Sequence, residues 1–423
     1  MATLSNTRIG SANTYDNTIR NLNARQSALS GLQENISSGK RVIRASDDPT
    51  AAAQVERALT RISRIASDQR ALESQVSAIR QAESTLGDVT DALQRFRTLV
   101  VNAGDGTLTA SNRSIIANEL KGLRDQVFDL SNTRNSTGSP LFGALGSALA
   151  PLVGPVATAP DYTFNGLPGT SASSEVSIPF TLDGDSAFML QSGRDDAYDV
   201  KVGPASSMLQ TDSIKVIDAA LVTGSSYEIS AISIGPGAAT GTSIASYSVI
   251  ETPAGAALPL PAVLVSGPQY PSTSKQIPIT LPDNTSPALS LNLSGSLSIS
   301  DSLKISPAVS LFSVLDNAIN DIGSAISNNS VIQAVSQALN NLDIGMERVS
   351  NVRGQAGALL NRADRISGRQ ETRSLQTEAD RSRVEDLDMI KGLSDFQNQE
   401  TGYSVALQTY AQVQKLSLFN YIS

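Results

Sequence analysis

The sequence contains no cysteine, no histidine and no tryptophan in 423 residues. The chain therefore lacks disulfides, thiolate nucleophiles, imidazole bases and the commonest zinc ligands. Carboxylates, lysine, serine and tyrosine remain for chemistry, and no two carboxylates stand at a spacing that indicates a catalytic pair. The sequence thus predicts a protein that is not an enzyme and that carries no metal and no cofactor.

Aromatic residues are also scarce, at 4% of the chain. Large globular cores usually draw on aromatic side chains, whereas long amphipathic helices bury leucine, isoleucine, valine and alanine in narrow seams. The scarcity therefore argues against thick globular cores and favours long helices.

Two further features are missing from the sequence. Its first residues, MATLSNTRIGSANTYDN, have neither the basic head nor the apolar stretch of a cleaved secretory signal. The longest apolar window, GAALPLPAVLVSG from Gly255, is short and broken by proline, so it predicts no membrane span. These observations predict either a cytoplasmic protein or one exported by a route that reads no such signal.

Charge is distributed unevenly along the chain. The formal net charge is −8, and the segment from Leu141 to Ser300 contains twelve acidic and four basic residues, which accounts for all of it. The two ends together are electrically balanced. Balanced helices are suited to packing against copies of themselves, whereas an acidic segment tends to stay solvated.

The N-terminal part has the spacing of helical seams. The first seam alternates steps of three and four residues and includes two glutamines. Its members are Tyr15, Ile19, Leu22, Gln26, Leu29, Gln33 and Ile36. Gly39 is expected to end this helix, and Asp48 with Pro49 to start a second one that stops at Gly104. A third helix is predicted from about Ser111 to Ser131.

The residue pattern of the chain changes after Leu141. Short alternating runs separated by Gly, Pro, Asp and Asn predict strands. These runs are VSIPFTL at Val176, YDVKV at Tyr198, YEISAISI at Tyr227, YSVIE at Tyr247, IPITL at Ile277 and LSLNLSGSLSI at Leu289.

Helical seams return near Val309, and the last predicted helix includes Leu375, Val384, Leu387 and Leu416. The predicted fold class is α+β multidomain, with long coiled-coil-like helical rods from both termini and an inserted mostly-β domain. The predicted domains are N-terminal helical rods over 1–140, a mostly-β surface domain over 141–304 and C-terminal rods over 305–423.

Three separated motifs carry a resemblance to a known family. They are SSGKRVIRASDDPTAAAQVERAL from Ser37, the stretch from Gln81 to Thr133, and YAQVQKLSLFNYI from Tyr410. Together they resemble the bacterial flagellin superfamily, and within it the members that join hook to filament. The DDP triplet and the ending SLFNY favour the junction members. The size of the insert favours filament-forming flagellins, which stay an open alternative.

The resemblance implies a structural subunit of the bacterial flagellum that assembles by coaxial packing of its terminal helices. Expected partners are copies of the chain, neighbouring hook, junction and filament subunits, the flagellar export apparatus and an export chaperone, with no nucleic acid. The expected location is extracellular, after export without a cleaved signal. The residues assigned to subunit packing are Leu22, Leu29, Ile36, Leu407, Tyr410, Leu416, Leu418 and Phe419.

Other interpretations of single segments stay open at this stage. Asp47 and Asp48 suit helix capping and turn formation far better than metal binding, because adjacent side chains on an extended segment diverge. Lys40, Arg41 and Arg44 are expected to pair with a neighbouring subunit or to stay solvated. The cluster RDDAYD at Arg194 could form a calcium loop in the β domain, although an ordinary acidic turn is the preferred interpretation. A polysaccharide-binding insert using tyrosines such as Tyr198, Tyr227 and Tyr247 is a second alternative function.

Overall fold

The computed structural model describes residues 11–156, 161–204, 207–256, 258–283 and 285–422, with the backbone alone for 11–15 and 413–422. Three long helices come first, α1 (Ser11–Ser38), α2 (Pro49–Ala103) and α3 (Ala110–Ser131). Two short helices follow, α4 (Gly184–Phe188) and α5 (Ser192–Asp195). The last helices are α6 (Leu311–Ser324), α7 (Asn328–Glu385) and α8 (Met389–Ile422). The fold class predicted from the sequence is confirmed: long helices occupy the N-terminal and C-terminal parts of the chain, and the strands lie between them in sequence.

The chain divides into two compact units, Met1–Arg70 with Ser367–Ser423, and Ala71–Ile366. The division falls inside α2 and inside α7, so each of these helices contributes residues to both units. The division at residues 140 and 304 that composition suggested stays a prediction.

The predicted ends of the first two helices agree with the structure, whereas the last one was misplaced. α7 continues to Glu385, so Leu375 and Val384 belong to it and not to the final helix. Four glycines within α7 do not break it, since an internal glycine costs only about 1 kcal/mol relative to alanine. The break comes where Asp388 accepts hydrogen bonds from the backbone N–H groups of Ile390 and Lys391, both at 3.1 Å, and so caps α8.

The strands form two main sheets and one short pair. The strands are β1 (Leu152–Val153), β2 (Thr163–Phe164), β3 (Tyr198–Gly203), β4 (Gln210–Thr211), β5 (Lys215–Val216), β6 (Ser226–Pro236), β7 (Thr242–Thr252), β8 (Val263–Pro271), β9 (Ile277–Leu281), β10 (Leu289–Ser294) and β11 (Ser302–Pro307). One antiparallel sheet has the order β3-β11-β6-β7-β8, and in the other β10 pairs with β4, β5 and β9. Alternation is clear in β10, where Leu289, Leu291 and Leu293 are buried.

One strand prediction was wrong, and the strand β8 was not predicted. Val176 to Leu182 forms no strand, because Pro179 has no N–H to donate to a ladder and the N–H of Ile178 bonds to the Gln75 side chain at 3.1 Å. β8, in contrast, lies in a segment considered only as an apolar window, where the prolines within and just before the strand obscured its alternation.

Each part of the larger unit has its own core. The β core is built from strand residues such as Tyr227, Ile229 and Leu291. The helical core includes residues between Leu141 and Phe188 packed with α2, α3, α6 and α7. Its centre is a chain of touching aromatic rings, Phe128, Phe142, Tyr162, Phe188 and Phe312. Five of the eighteen aromatic residues, nine Phe and nine Tyr in all, thus meet in one place, which the low overall fraction did not indicate.

Candidate functional site

The candidate site is the smaller unit, where the two ends of the chain meet. Gly39 follows α1 with φ +71°, a conformation that glycine adopts without penalty. Its carbonyl oxygen accepts a hydrogen bond from the N–H of Leu387 at 2.9 Å, and the N–H of Arg41 donates to the carbonyl of Glu385 at 2.7 Å. The turn after α1 is therefore joined through its backbone to the segment between α7 and α8.

The bases of this turn pair within the chain, which differs from the expectation. Lys40 forms an ion pair with Glu385, a residue that is 4% exposed. Arg41 donates from Nη2 to the carbonyl of Val384 at 2.7 Å, and Arg44 pairs with Glu34 at 2.6 Å. Because these partners lie in the same chain, the three bases stabilise the turn rather than being reserved for a neighbouring subunit.

The two adjacent aspartates act on different backbone groups. Asp47 accepts hydrogen bonds from the N–H groups of Ile43 at 3.2 Å and Arg44 at 2.8 Å, which closes the turn. Asp48 accepts from the N–H groups of Thr50 at 3.2 Å and Ala51 at 3.0 Å, at the start of α2. Pro49 is the first residue of that helix. The backbone hydrogen bond from Ala51, with the Thr50 hydroxyl, lowers the pKa of Asp48 below its usual range.

We expect Asp48→Ala to lower the thermal midpoint of the chain, because two N–H groups of α2 lose their acceptor. The pKa of Asp48 is lower in the folded state, so its stabilisation is present above the unfolded pKa and is lost as pH falls through the folded value. The difference in midpoint between the variant and the parent should therefore shrink in acid. Thermal melts of both proteins between neutral and acid pH measure this, with Asp48→Asn as the control that keeps an acceptor. A difference that does not change with pH would contradict this assignment.

α1 and α8 lie alongside each other in antiparallel directions. The half-buried apolar side chains of α1 form one stripe, made of Ile19, Leu22, Leu29, Leu32 and Ile36. Gln26 and Gln33, predicted in the seam, are exposed, and Leu32 takes the position next to Gln33. On α8, a side chain at Gly402 would come within 2.7 Å of Nη1 of Arg25, so glycine permits the arginine to lie across the helix there.

The predicted packing residues of α8 have different environments. Tyr410 is half-buried and belongs to a stripe with Phe396, Tyr403 and Ala406. Leu407 lies about 100° around the helix from Ala406 and is 42% exposed. The side chains of Leu416, Leu418 and Phe419 lie outside the described residues. Their role in subunit packing, like that of the other predicted packing residues, stays a prediction.

Two residues of this unit were missed at the sequence level. Glu385 is buried and contacts both Lys40 and Arg381, and Asp388 caps α8. The Asp-Met-Ile order before an apolar run was a usable capping signal for Asp388. The i,i+4 spacing from Arg381 marked one contact of Glu385, but no local signal marked the other, because Lys40 is distant in sequence.

The structure also places the residues that were named for polysaccharide binding and for calcium binding in the insert. Tyr198, Tyr227 and Tyr247 are at most 3% exposed and belong to the β core, so they form no aromatic platform at the surface. In the cluster at Arg194, Asp195 accepts from the N–H of Gln191 at 2.8 Å and pairs with Arg194 at 2.7 Å. Across the described ranges, no three acidic side chains gather in a way that could hold a metal ion. Of the helices described, none is both long and apolar enough to cross a membrane.

The N-terminal part of the chain is similar in sequence to known proteins. Residues 9–145 match the family described as the bacterial flagellin N-terminal helical region. The chain is 32% identical over 152 residues to flagellar hook-associated protein 3 of Salmonella typhimurium, covering 34% of this chain and 45% of the relative. It is 33% identical over 118 residues to a flagellin of Clostridium tyrobutyricum, covering 28% of this chain and 31% of the relative. The matched segment thus spans less than half the length of these curated relatives.

Solved structures are similar over a longer range. The crystal structure of flagellar hook-associated protein 3 from Legionella pneumophila has a TM-score of 0.59 at 21% identity and covers 78% of this chain and 98% of its own. FlgL of Xanthomonas campestris gives 0.55 at 19% identity, over 78% and 99%. At this identity the likeness concerns the fold. The sequence matches add that residues 9–145 are similar to the N-terminal helical region of bacterial flagellins.

Proposed function

We propose that this chain is a structural subunit of the bacterial flagellum, of the type that joins hook to filament, and that it is not an enzyme. The observation that carries the proposal is the antiparallel pairing of α1 and α8, which come from opposite ends of the chain, together with the apolar side chains that α8 leaves in solvent. The exposed ones are Met389, Ile390, Leu393, Val405 and Leu407.

These side chains favour association with further helices. Met389, Leu393 and Leu407 lie within about 40° of one another around α8 and adjoin the stripe that faces α1. Full burial of a leucine or methionine side chain contributes about 1.5–3 kcal/mol, which a lone subunit forgoes. A neighbouring copy that supplies its own helix pair would bury this face, and the assembly then proceeds by coaxial packing of terminal helices.

The same proposal assigns partners, an export route and a role for each region of the chain. Partners are copies of the chain and the adjacent hook and filament subunits, and delivery outside the cell uses the flagellar export apparatus and an export chaperone without a cleaved signal. The regions 1–140 and 305–423 are assigned to the assembly core and 141–304 to the outer surface. The concentration of negative charge in 141–304 supports this division, because an acidic surface stays hydrated and apart from its copies.

Leu407→Asp tests the packing mechanism at a residue whose side chain is already partly in water. We expect a folded monomer that no longer assembles on isolated hook ends, since a carboxylate would enter the apolar face. Gln408→Asp is the matched control, because it places the same charge on an exposed neighbour in the same helix. Electron microscopy of hook ends and light scattering measure assembly, and circular dichroism checks the fold. Normal assembly of Leu407→Asp would reject packing through this face.

A filament-forming flagellin is the second candidate, favoured by the matches to flagellins in several bacteria. The two candidates differ in what the purified chain does alone. A junction subunit should assemble only where hook ends are supplied, whereas a flagellin should polymerise into long filaments without them. Long filaments of the parent chain by itself would therefore replace the junction assignment and leave the packing mechanism in place.

A further inference from the structure

The N-terminal part of α2, which belongs to the smaller unit, carries a stripe of arginines. Arg57, Arg61 and Arg64 lie within about 60° of one another around the helix, and all three are exposed. None of them forms an ion pair with a described residue, whereas the three bases of the turn before α2 are all paired. Like charges three and four residues apart destabilise an isolated helix, so the stability of α2 does not explain this stripe.

A groove of about 250 Å³ lies between this part of α2 and the C-terminal part of α7, and both of its sides belong to the smaller unit. Ala58 and Val384 supply apolar surface, and Arg57 and Arg61 line the groove from α2. Among the described residues that line it, the third arginine and the one carboxylate, Asp380, are already paired within α7. The groove therefore combines an apolar surface with two guanidinium groups that lack an acidic partner.

The opposite side of α7 carries a ridge with the complementary pattern. Leu375 is 66% exposed, and Glu371 and Glu378 flank it four residues before and three residues after. Glu371 forms no ion pair with a described residue, whereas Glu378 pairs with Arg381 at 2.6 Å. Leu375 and Val384 are nine residues apart, which is about 180° around the helix, so the ridge points away from the groove of its own chain.

We propose that the groove between α2 and α7 binds the Leu375 ridge of a second copy of this chain, an inference that rests on the proposed function. The leucine packs against Ala58 and Val384, and its apolar surface leaves water. The Glu371 carboxylate meets the free guanidinium groups. Charges at the rim of an interface fix orientation and register more than they add affinity, so the ion pairs determine how the two copies align.

Two observations identify a second copy as the occupant. The charges of the ridge and the groove are complementary, and every copy carries both surfaces. Because the two surfaces lie on opposite sides of α7, a copy cannot fill its own groove, and it can bind one neighbour through the groove and another through the ridge. Such a heterologous contact repeats around an axis and builds rings or tubes. It uses α2 and α7 and is therefore distinct from the packing of α8 through Leu407.

Charge reversal on each side tests this contact in the full-length chain. We expect the double variant Arg57→Glu/Arg61→Glu and the variant Glu371→Arg each to lower assembly on hook ends by at least about tenfold, because like charges then face each other. An equimolar mixture of the two proteins should restore assembly to within about threefold of the parent, because each protein supplies the charge that the other lacks.

Two further variants accompany the charge reversals. Arg70→Glu is the matched control, because Arg70 is exposed, forms no ion pair with a described residue and lies about 180° around α2 from Arg61. It should assemble like the parent. Leu375→Ala shortens the ridge without changing its charge and should also reduce assembly. Circular dichroism verifies that each variant is folded.

Sedimentation velocity of the concentrated chain repeats the comparison without hook ends, which separates this contact from the proposed function. Charge-reversed variants that assemble like the parent would overturn the contact. Loss in both variants without recovery in the mixture would mean that the groove binds a different protein, and this would also overturn it. A parent that associates in solution, with both variants impaired, but not on hook ends would contradict the proposed function and keep this contact. A parent that associates in neither assay would overturn both.

Discussion

Phe312→Ala is expected to lower the free energy of unfolding by about 3–5 kcal/mol, the range for removing a buried phenylalanine side chain. Phe312 is completely buried, and its ring centroid lies 5.2 Å from that of Phe128, 5.3 Å from Tyr162 and 5.7 Å from Phe188. The variant therefore loses transfer free energy and three ring contacts, and it leaves a cavity at the place where α3, α4 and α6 meet.

Urea denaturation of the monomeric chain measures this effect through the transition of the larger unit. Phe312→Leu is the control, because it keeps most of the apolar volume and should cost substantially less than the alanine variant. A loss below about 1 kcal/mol for Phe312→Ala would mean that the aromatic chain can collapse into the vacated space or that it contributes little to this unit.

Asp199→Asn is expected to raise the free energy of unfolding by about 1–3 kcal/mol at pH 8 and to have little effect near pH 4. Burial raises the pKa of Asp199 to about 6, with Lys201 offsetting part of the shift and Asp321 adding to it. The folded state therefore binds a proton more tightly than the unfolded state, and the ionised carboxylate opposes folding above pH 6. Asparagine removes that charge while keeping the shape of the side chain.

The sign of the pH dependence follows from the direction of the shift. Between the unfolded value near 3.8 and the folded value near 6, the folded state holds more protons, so this contribution to stability falls as pH rises. Denaturation at a series of pH values measures it, with Asp161→Asn as an exposed control expected to change stability by less than about 0.5 kcal/mol. A stabilisation by Asp199→Asn that is equal at pH 4 and pH 8 would exclude this cause.

The sequence predicted the elements whose signals are local. A glycine after α1, an aspartate and a proline before α2, and period-two runs such as that of β10 each act over a few residues, and the structure has helices and strands there. The break between α7 and α8 was misplaced for the same reason, because the capping aspartate Asp388 is a weaker signal than glycine or proline.

Contacts between distant segments could not be predicted in this way. The pairing of Lys40 with buried Glu385 joins two segments that are far apart in sequence, and the exposure of Leu407 depends on how α8 is rotated about its axis beside α1. A heptad-like spacing indicates that a helix has an apolar side. Because this side is wide, the spacing does not decide which of two neighbouring residues is buried and which is exposed. The groove between α2 and α7 likewise arises from two separate segments, neither of which carries a recognisable binding motif.

The backbone bonds between the turn at Gly39 and the segment at Leu387 also constrain the order of folding. They join residues almost 350 positions apart, so α1 finds its partner only after nearly the whole chain has emerged. Isolated helices are marginal in water, and the larger unit has most of its contacts within residues 71–366 and can form first. We therefore expect the terminal pair to be the last part of the chain to acquire structure, so that both ends stay unpaired for longest.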